Sequence, residues 1–302
     1  MNSHGRQILK DVSRSFYLSI RLLPGPMREP VSLAYLLARA SDTLADTEGL
    51  DAALRHEMLL GFGDILKGAD RASWIARLEQ EVIPRQSHQG EKLLLAKMDE
   101  IFDWLYRLKD SPVHAAILRV MEHILHGQGL DMERFELRRE RGLASDAQLE
   151  EYCFLVAGCV GEFWSEIGNI ALPGFSTMEA GRLKQLGIHY GMGLQLINIL
   201  RDLPSDLMAG RCYLPVSDPD DINALQSEAA RWRARARQYL GDGQVYTKSL
   251  GSRRTRAATA LPGLIGQDTL DLLDHAGWED LERGVKVSRI DVYRSAWQAF
   301  FV

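Results

Sequence analysis

Cysteine is scarce in this 302-residue sequence, and the spacing of the few cysteines excludes two common uses of the residue. Only Cys153, Cys159 and Cys212 occur, with no CxxC pair and no neighbouring histidine at the spacing of metal ligands. A disulfide framework and a structural zinc site both require more closely paired ligands. Three separate thiols fit a reducing compartment, so we expect a cytoplasmic protein.

An excess of one charge is also missing. The 36 Lys and Arg residues nearly balance the 41 Asp and Glu residues, and the formal net charge is −5. A protein that binds nucleic acid along a whole face carries a clear basic surplus. We therefore expect no nucleic-acid partner.

Long uninterrupted apolar runs are missing as well. The N-terminal residues contain no apolar stretch of signal-peptide length, and residues 152–172, the most apolar segment, are interrupted by Glu162, Glu166 and Asn169 at helical spacing. A membrane-spanning helix needs about 20 predominantly apolar residues. This segment therefore predicts a buried core helix, and we expect no transmembrane segment.

Apolar residues at helical spacing are abundant. They recur about every 3.6 positions, as at Leu33, Leu36 and Leu37, whereas sustained alternation with a period of two is hard to find. This periodicity predicts an all-α protein. Breaks at Pro30, at Pro262 and in several polar segments predict eight to eleven helices. No run of Pro, Gly or Ser divides the chain into two domains.

Two acidic residues lie four positions apart in the segment ARASDTLAD. On a helix, the carboxylates of Asp42 and Asp46 project from one face, about 6 Å apart. Their repulsion costs only a few tenths of a kcal/mol at a surface. An isolated pair of this kind is therefore also typical of an ordinary solvated helix face.

A second polar set changes that interpretation. Asn198, Asp202 and Asp206 repeat at four-residue steps behind an apolar run. Magnesium prefers hard oxygen ligands and keeps positions for water and phosphate oxygens. Two such faces opposed across a helical bundle would form a magnesium–diphosphate clamp, in which the metal stabilises charge on a departing diphosphate.

Arginine accompanies both acidic sets. Arg39, Arg201 and Arg211 could bind phosphate oxygens through two parallel hydrogen bonds, or could merely form salt bridges with the carboxylates. Pro204 predicts a kink or break between Asp202 and Asp206, which would turn the second carboxylate in another direction.

Four strings in this order resemble motifs of the squalene and phytoene synthase family, the trans head-to-head prenyl synthases, across most of the chain. They are SRSF at residues 13–16, YLLAR at 35–39 leading into DTLAD, YCFLVAGCVGEFW from residue 152, and NILRDLPSDLMAGRCYLP from residue 198. DTLAD and SRSF are similar to squalene synthases, whereas YLP at 213–215 is similar to phytoene synthases.

The resemblance implies a single domain over residues 1–302 with the all-α isoprenoid-synthase bundle and a central apolar cavity. It implies that two farnesyl diphosphates condense through presqualene diphosphate to squalene, with Mg²⁺ and with reduction by NADPH. The alternatives are a presqualene diphosphate, dehydrosqualene or phytoene synthase without reduction, or a catalytically silent family member that acts as an assembly protein.

The resemblance also assigns residues. The catalytic residues are Tyr152, Asp42, Asp46 and Asp202, and the metal ligands are Asp42, Asp46, Asn198, Asp202 and Asp206. The substrate-binding residues are Ser13, Ser15, Tyr35, Arg39, Val156, Val160, Gln195, Arg201 and Arg211. The residues for NADPH are Arg14, Arg39, Arg201, Lys286 and Arg289. Tyr152 would accept the proton lost on ring closure or stabilise a carbocation through its ring.

Two departures from the family pattern bear on these roles. Ala45 stands where eukaryotic squalene synthases have an acidic residue, so metal binding would depend more on the second set. The segment 284–289 only loosely resembles the basic segment associated with nucleotide binding. Elsewhere, Arg253, Arg254 and Arg256 predict a surface cluster at a helix start or, alternatively, a peripheral membrane contact that helps product release.

Overall fold

The structure is a computed structural model that describes residues 16–47 and 49–302. Within these residues the regular secondary structure is helical, and no β-strand is formed. The all-α fold expected from the apolar periodicity is therefore confirmed. Ser13, Arg14 and Ser15, which the resemblance assigns to substrate and nucleotide, lie outside the described residues.

The described residues form fourteen α-helices. Their bounds are α1 Phe16–Leu22, α2 Gly25–Asp46, α3 Ala52–Leu66, α4 Ala72–Arg77, α5 Gln89–Leu95, α6 Met98–Tyr106, α7 Pro112–Asp131, α8 Asp146–Cys153, α9 Cys159–Ala171, α10 Ala180–Met208, α11 Ile222–Lys248, α12 Arg253–His275, α13 Trp278–Arg283 and α14 Arg289–Gln298. Three π-helical segments, Leu78–Val82, Met132–Leu137 and Phe154–Gly158, and two 3₁₀ segments, Ile83–Arg85 and Ala299–Phe301, complete the helical structure.

The expected eight to eleven helices are too few. The additional helices are short ones such as α4, α5 and α13, which span only six or seven residues. A helix of that length contains too few apolar positions to show a period of 3.6 in the sequence.

Three prolines lie inside long helices, and the breaks predicted at Pro30 and Pro262 are wrong. Helix α2 continues through Pro30, α10 through Pro204 and α12 through Pro262. Each proline costs its helix about 3 kcal/mol or more. Helices of 22 to 29 residues pack over enough surface to outweigh that cost, and Pro30 and Pro204 are themselves buried.

Helix α10 is the centre of the bundle. It packs against α9, α11, α12 and the π-helical segment Phe154–Gly158. Helix α2 packs against α3, α7 and α9 on the other side. Because α7 and α9 contact α2, the acidic end of α2 is brought toward α10.

Glycine permits the close approach of α9 and α10. A Cβ atom on Gly161 would lie 1.8 Å from the carbonyl oxygen of Gly187, and one on Gly191 would lie 2.1 Å from that of Ala157. Both distances are far inside van der Waals contact. The backbone of α10 therefore touches α9 and the π-helical segment Phe154–Gly158 at a spacing that any larger residue would increase.

The core helix predicted within residues 152–172 is present as part of a longer helical segment. Residues 146–171 are helical throughout, with the π-helical segment Phe154–Gly158 between α8 and α9. Ser145 caps α8 by accepting a hydrogen bond from the Gln148 amide, and the Gln148 side chain accepts one from the Ala144 amide at 2.7 Å. No helix of the described residues combines the length and apolar character needed to cross a bilayer.

Candidate active site

The two acidic segments face one cavity, called here the polar cavity. It has a volume of about 460 Å³ and lies between α2, α7, α8, α10 and the loop that follows α10. Its lining residues are Arg39, Asp42, Ala45, Asp46, Gln128, Asp131, Met132, Glu136, Tyr152, Gln195, Asn198, Ile199, Arg201, Asp202, Asp206, Arg211 and Tyr213. The opposition of the two acidic faces that the sequence predicted is therefore present.

On the α2 side, Arg39 holds the first carboxylate. Its Nη1 donates to Asp42 Oδ2 at 2.6 Å, and its Nη2 pairs with Glu91 of α5. Burial raises the pKa of Asp42 to about 6, and the nearby charge of Asp46 adds to this effect. Burial also raises the pKa of Asp46 above its ordinary value. The two carboxylates are thus kept in surroundings that favour an added cation.

On the α10 side, the Arg201 guanidinium binds the neighbouring carboxylate through two nitrogen atoms. Nε donates to Asp202 Oδ1 at 2.8 Å and Nη2 to Oδ2 at 2.5 Å. Asp206 lines the same cavity although Pro204 was expected to turn it away, because α10 continues without a break. Burial raises the pKa of Asp206 to about 7 against the lowering effect of Arg211.

Four polar lining residues were missed in the sequence: Gln128, Asp131, Glu136 and Tyr213. Glu136 pairs with Arg55 of α3. The π-helical segment Met132–Leu137 shifts the side chains that follow it away from the α-helical register. Spacing in the sequence therefore gave no sign that Asp131 and Glu136 share a cavity.

A hydrogen-bonded chain links three of the lining side chains. The Tyr152 hydroxyl donates to the Tyr213 hydroxyl at 3.4 Å, and the Tyr213 hydroxyl donates to Asp131 Oδ2 at 3.0 Å. The two phenol rings are stacked with centroids 4.7 Å apart. Burial raises the pKa of both tyrosines and raises the pKa of Asp131 to about 6. Both phenols are therefore neutral at physiological pH.

Several buried polar atoms of the cavity lack a partner. Of the seven such side-chain atoms found in the described residues, four belong to its lining: Arg39 Nε, Gln128 Oε1, Asp131 Oδ1 and Arg211 Nε. Leaving a buried polar atom without a hydrogen bond costs about 1–3 kcal/mol. The two arginine nitrogens are unpaired donors and suit the anionic oxygens of a ligand. The Gln128 and Asp131 oxygens are unpaired acceptors and suit polar hydrogens or cations.

The donor set fits magnesium. The side chains of α2 and α10 that line the cavity offer only carboxylate and amide oxygens as acceptors, which are hard ligands. No three carboxylate, histidine or cysteine side chains of residues 16–47 and 49–302 lie close enough to hold an ion by themselves. Magnesium commonly takes one or two carboxylates and completes its shell with phosphate oxygens and water. The acceptors of the cavity therefore fit a magnesium ion that completes its shell with oxygens of a ligand and of water.

A second cavity, the apolar cavity, lies between the π-helical segment Phe154–Gly158 and helices α9, α10, α11 and α12. Its volume is about 170 Å³, and its lining residues are Val156, Ala157, Val160, Gly161, Trp164, Gly187, Tyr190, Gly191, Leu194, Tyr246, Ala258, Thr259 and Pro262. A third space of about 240 Å³ shares Asn198 and Arg201 with the polar cavity, and shares Leu194 and Pro262 with the apolar cavity. This third space, called here the connecting space, therefore borders both the polar and the apolar cavity.

The remaining candidate residues of the described chain are spread over several places. Tyr35 is half-buried on α2, where it packs against the core. In the part of the chain that the structure describes, Lys286 and Arg289 are exposed near the start of α14 and do not line the polar cavity. Val156 and Val160 line the apolar cavity, and Gln195 lines the polar cavity.

The described residues thus form an all-α bundle in which a charged cavity and an apolar one lie near each other. The chain belongs to the squalene/phytoene synthase family, whose sequence model matches residues 9–291. The members of this family are head-to-head synthases of the prenyltransferase type.

Relatives with different products are similar to this chain. A bifunctional lycopene cyclase/phytoene synthase of Phaeosphaeria nodorum is 29% identical over 216 residues, and a squalene synthase of Cyberlindnera jadinii is 26% identical over 209 residues. Each match covers 69% of this chain, which spans only 33% and 44% of those two proteins. A phytoene synthase of Thermus thermophilus is 27% identical over 92% of this chain and 84% of its own length.

A solved structure agrees with the fold. The squalene synthase TcSQS, in complex with a ligand, superposes with a TM-score of 0.77 over 98% of this chain and 85% of its own, at 21% identity. The all-α isoprenoid-synthase bundle expected from the resemblance is therefore confirmed.

Proposed function

We propose that this protein condenses two farnesyl diphosphates head to head to presqualene diphosphate and then to squalene. The observation that supports this most is the polar cavity, in which two acidic faces and arginines with unpaired Nε atoms lie beside an apolar space. A prenyl diphosphate has the same two parts, a charged head and an apolar chain.

The head group would bind among the arginines. Arg39 and Arg211 each keep a buried Nε atom without a partner, and Arg201 lies where the polar cavity meets the connecting space. Asp42, Asp46, Asn198, Asp202 and Asp206 would hold magnesium ions shared with the diphosphate. Bound magnesium would stabilise the negative charge that develops on the leaving diphosphate.

Tyr152 is the proposed acceptor of the proton lost when the cyclopropane ring closes. As its oxygen takes the substrate proton, its own proton passes to the Tyr213 oxygen, and the Tyr213 proton passes to the Asp131 carboxylate. The proton therefore ends on a carboxylate whose pKa burial has raised to about 6. Both phenols remain neutral before and after the transfer.

The apolar cavity would protect the carbocations. Its lining consists mostly of aliphatic and aromatic side chains, including Trp164, Tyr190 and Tyr246. Excluding water prevents early capture of a cation, and aromatic faces attract positive charge. Val156 and Val160 would form the wall beside Tyr152.

The side chains give less support to the reduction by NADPH. Of the residues assigned to NADPH, Arg39 and Arg201 line the polar cavity, whereas Lys286 and Arg289 are exposed on another segment of the described chain. These residues do not converge on one cavity. The product assay therefore includes the nucleotide as a variable.

A phytoene synthase is the second candidate. The observation that favours it is the Thermus thermophilus phytoene synthase, whose match covers 84% of that protein, far more than the 44% covered in the squalene synthase of Cyberlindnera jadinii. A phytoene synthase would use geranylgeranyl diphosphate, which carries one more isoprene unit, and would not need a reductant.

Product analysis tests these alternatives. Purified protein is incubated with farnesyl or geranylgeranyl diphosphate and Mg²⁺, with and without NADPH, and the products are identified by mass spectrometry. Squalene from farnesyl diphosphate, formed only with NADPH, supports the proposal. Presqualene diphosphate or dehydrosqualene alone supports a synthase without reduction, and phytoene supports the second candidate. No condensation product from either substrate would refute the enzymatic proposal and favour a silent family member.

A further inference from the structure

The outer face of α14 and of the 3₁₀ segment after it exposes a row of large apolar side chains. This row, called here the terminal stripe, consists of Ile290, Tyr293, Trp297 and Phe301, which are 80%, 70%, 66% and 64% exposed. Their spacing of three, four and four residues places them on one face. The rings of Trp297 and Phe301 contact each other with centroids 4.5 Å apart.

The orientation of α14 is opposite to that of an ordinary surface helix. Its inward face carries the small residues Ser295, Ala296 and Ala299, of which Ser295 and Ala299 are buried. Ordinary surface helices turn their large apolar residues toward the core. Contiguous exposed apolar side chains mark an interaction site.

Basic side chains lie around the terminal stripe. The Arg253 guanidinium lies 5.7 Å from the centre of the Phe301 ring, and Arg254 donates to a main-chain carbonyl at the end of α1. Arg289 directly precedes the stripe, and Lys286 lies three residues earlier. Within the described residues, none of these four cations forms an ion pair with a carboxylate.

Nearby carboxylates are paired with two other arginines, and each of these arginines faces two carboxylates. Arg294, on the flank of the stripe, pairs with Asp291 at 3.0 Å and lies 3.7 Å from Asp268. Arg283 pairs with Glu279 at 3.0 Å. Arg283 also pairs with Asp280 at 3.4 Å, so these two arginines leave two of the four carboxylates in excess. The four cations without an ion pair outnumber that excess, so the net charge of these groups beside the stripe is positive, which complements an anionic surface.

We propose that the terminal stripe binds the surface of an anionic lipid bilayer, with α14 lying in the plane of the interface. A helix with Trp, Tyr and aliphatic residues on one face and Lys or Arg beside them is suited to the boundary between head groups and acyl chains. A stable protein interface needs about 20–30 residues a side, far more than this row offers.

Helix α12 connects this surface with the apolar cavity. Helix α14 packs against α12, and Ala258, Thr259 and Pro262 of α12 line the apolar cavity. A docked bilayer would lie one helix away from that space and could accept an apolar product. Only this consequence depends on the proposed function; the docking itself does not.

Vesicle sedimentation with the full chain tests the docking. Vesicles of phosphatidylcholine, with or without phosphatidylserine, are mixed with the wild-type protein, with the Ile290→Ser/Trp297→Ser variant, and with the control variant Leu60→Ser/Val245→Ser. Leu60 and Val245 are exposed apolar residues outside the stripe. We expect wild-type and control to bind vesicles with phosphatidylserine, and the stripe variant to bind at least about tenfold more weakly.

The docking proposal would be overturned if the wild-type protein did not sediment with phosphatidylserine vesicles, or if the stripe variant bound them equally well. It would also be overturned if analytical ultracentrifugation without vesicles showed a wild-type dimer that the stripe variant does not form. The last result would assign the stripe to a second copy of the chain. Strong hydrogen-exchange protection of residues 290–301 in the free monomer would show that another part of the chain covers them, and would also overturn it.

Product formation is measured separately, in detergent without vesicles. The stripe variant is expected to form product at the wild-type rate, because the stripe does not line either cavity. A protein that binds vesicles but forms no product would refute the proposed function and leave the docking standing. A protein that forms product but does not bind vesicles would refute the docking alone.

Discussion

Replacing Asp131 with asparagine is expected to make the protein more stable and less active. The asparagine keeps the size of the side chain, and its amide oxygen can still accept the hydrogen bond that Tyr213 now donates to Asp131 Oδ2 at 3.0 Å. It removes a negative charge from a side chain that is only 15% exposed and whose nearest cation, Arg211, is 3.8 Å away. It also removes the proposed final acceptor of the substrate proton.

The gain in stability follows from the raised pKa. Burial raises the pKa of Asp131 to about 6, against about 3.9 in an unfolded chain. A difference of about two units corresponds to about 3 kcal/mol. The pKa of about 6 already includes the lowering effects of Tyr213 and Arg211, and asparagine is neutral like the protonated acid, so we expect an increase of up to about 3 kcal/mol in the free energy of unfolding.

The sign of the effect depends on pH. Above about pH 6 the carboxylate is ionised in both states, and the folded protein carries the full cost of burying it. Between about pH 6 and pH 4 the folded state binds the proton first, so the cost shrinks. Below about pH 4 both states are protonated, and the variant should lose its advantage.

Urea unfolding of wild-type and Asp131→Asn protein at pH 8 and at pH 4 measures this difference, and a product assay measures activity. A variant that is less stable than wild-type at pH 8 would refute the reasoning, because the carboxylate would then be stabilising through Tyr213 and Arg211. A variant with unchanged activity would remove Asp131 from the proposed proton path.

Three further predictions concern the cavities. Tyr152→Phe should slow formation of presqualene diphosphate by about 10²–10⁴-fold without weakening pyrophosphate binding; an unchanged rate would exclude its hydroxyl as proton acceptor. Gly161→Ala should destabilise the fold by about 1–3 kcal/mol, since its Cβ would lie 1.8 Å from a carbonyl oxygen, whereas Gly129→Ala, which meets no atom within 4 Å, should not; equal unfolding curves would contradict the close helix contact. Asp202→Asn should abolish turnover with an unchanged circular dichroism spectrum, and normal turnover would remove this proposed ligand.

The helical positions of the two acidic sets were predictable from local spacing. Four-residue steps place Asp42 beside Asp46 and Asn198 beside Asp202 on any helix, whatever the rest of the chain does. That these faces oppose each other depends on contacts between distant segments. The backbone contact of Gly161 with α10 is such a contact, and it was not evident from periodicity.

The errors in predicting the polar cavity have two physical causes. Pro204 was expected to bend or break its helix because the local cost of proline was considered without the packing of α10, which keeps Asp206 on the polar cavity. Asp131 and Glu136 were missed because a π-helical segment changes the side-chain register that spacing arguments assume. Both effects arise from tertiary packing, which a local pattern does not contain.

Calorimetric titration with inorganic pyrophosphate and Mg²⁺ tests most directly whether the two acidic faces jointly hold a diphosphate. Wild-type protein should bind pyrophosphate tightly only when Mg²⁺ is present, and Asp42→Asn and Asp202→Asn should each greatly weaken binding. Asp110→Asn, at an exposed residue between α6 and α7 that does not line the polar cavity, should bind like wild-type. The account would be contradicted if pyrophosphate binding did not depend on Mg²⁺, or if substitution on either acidic face left that binding unchanged.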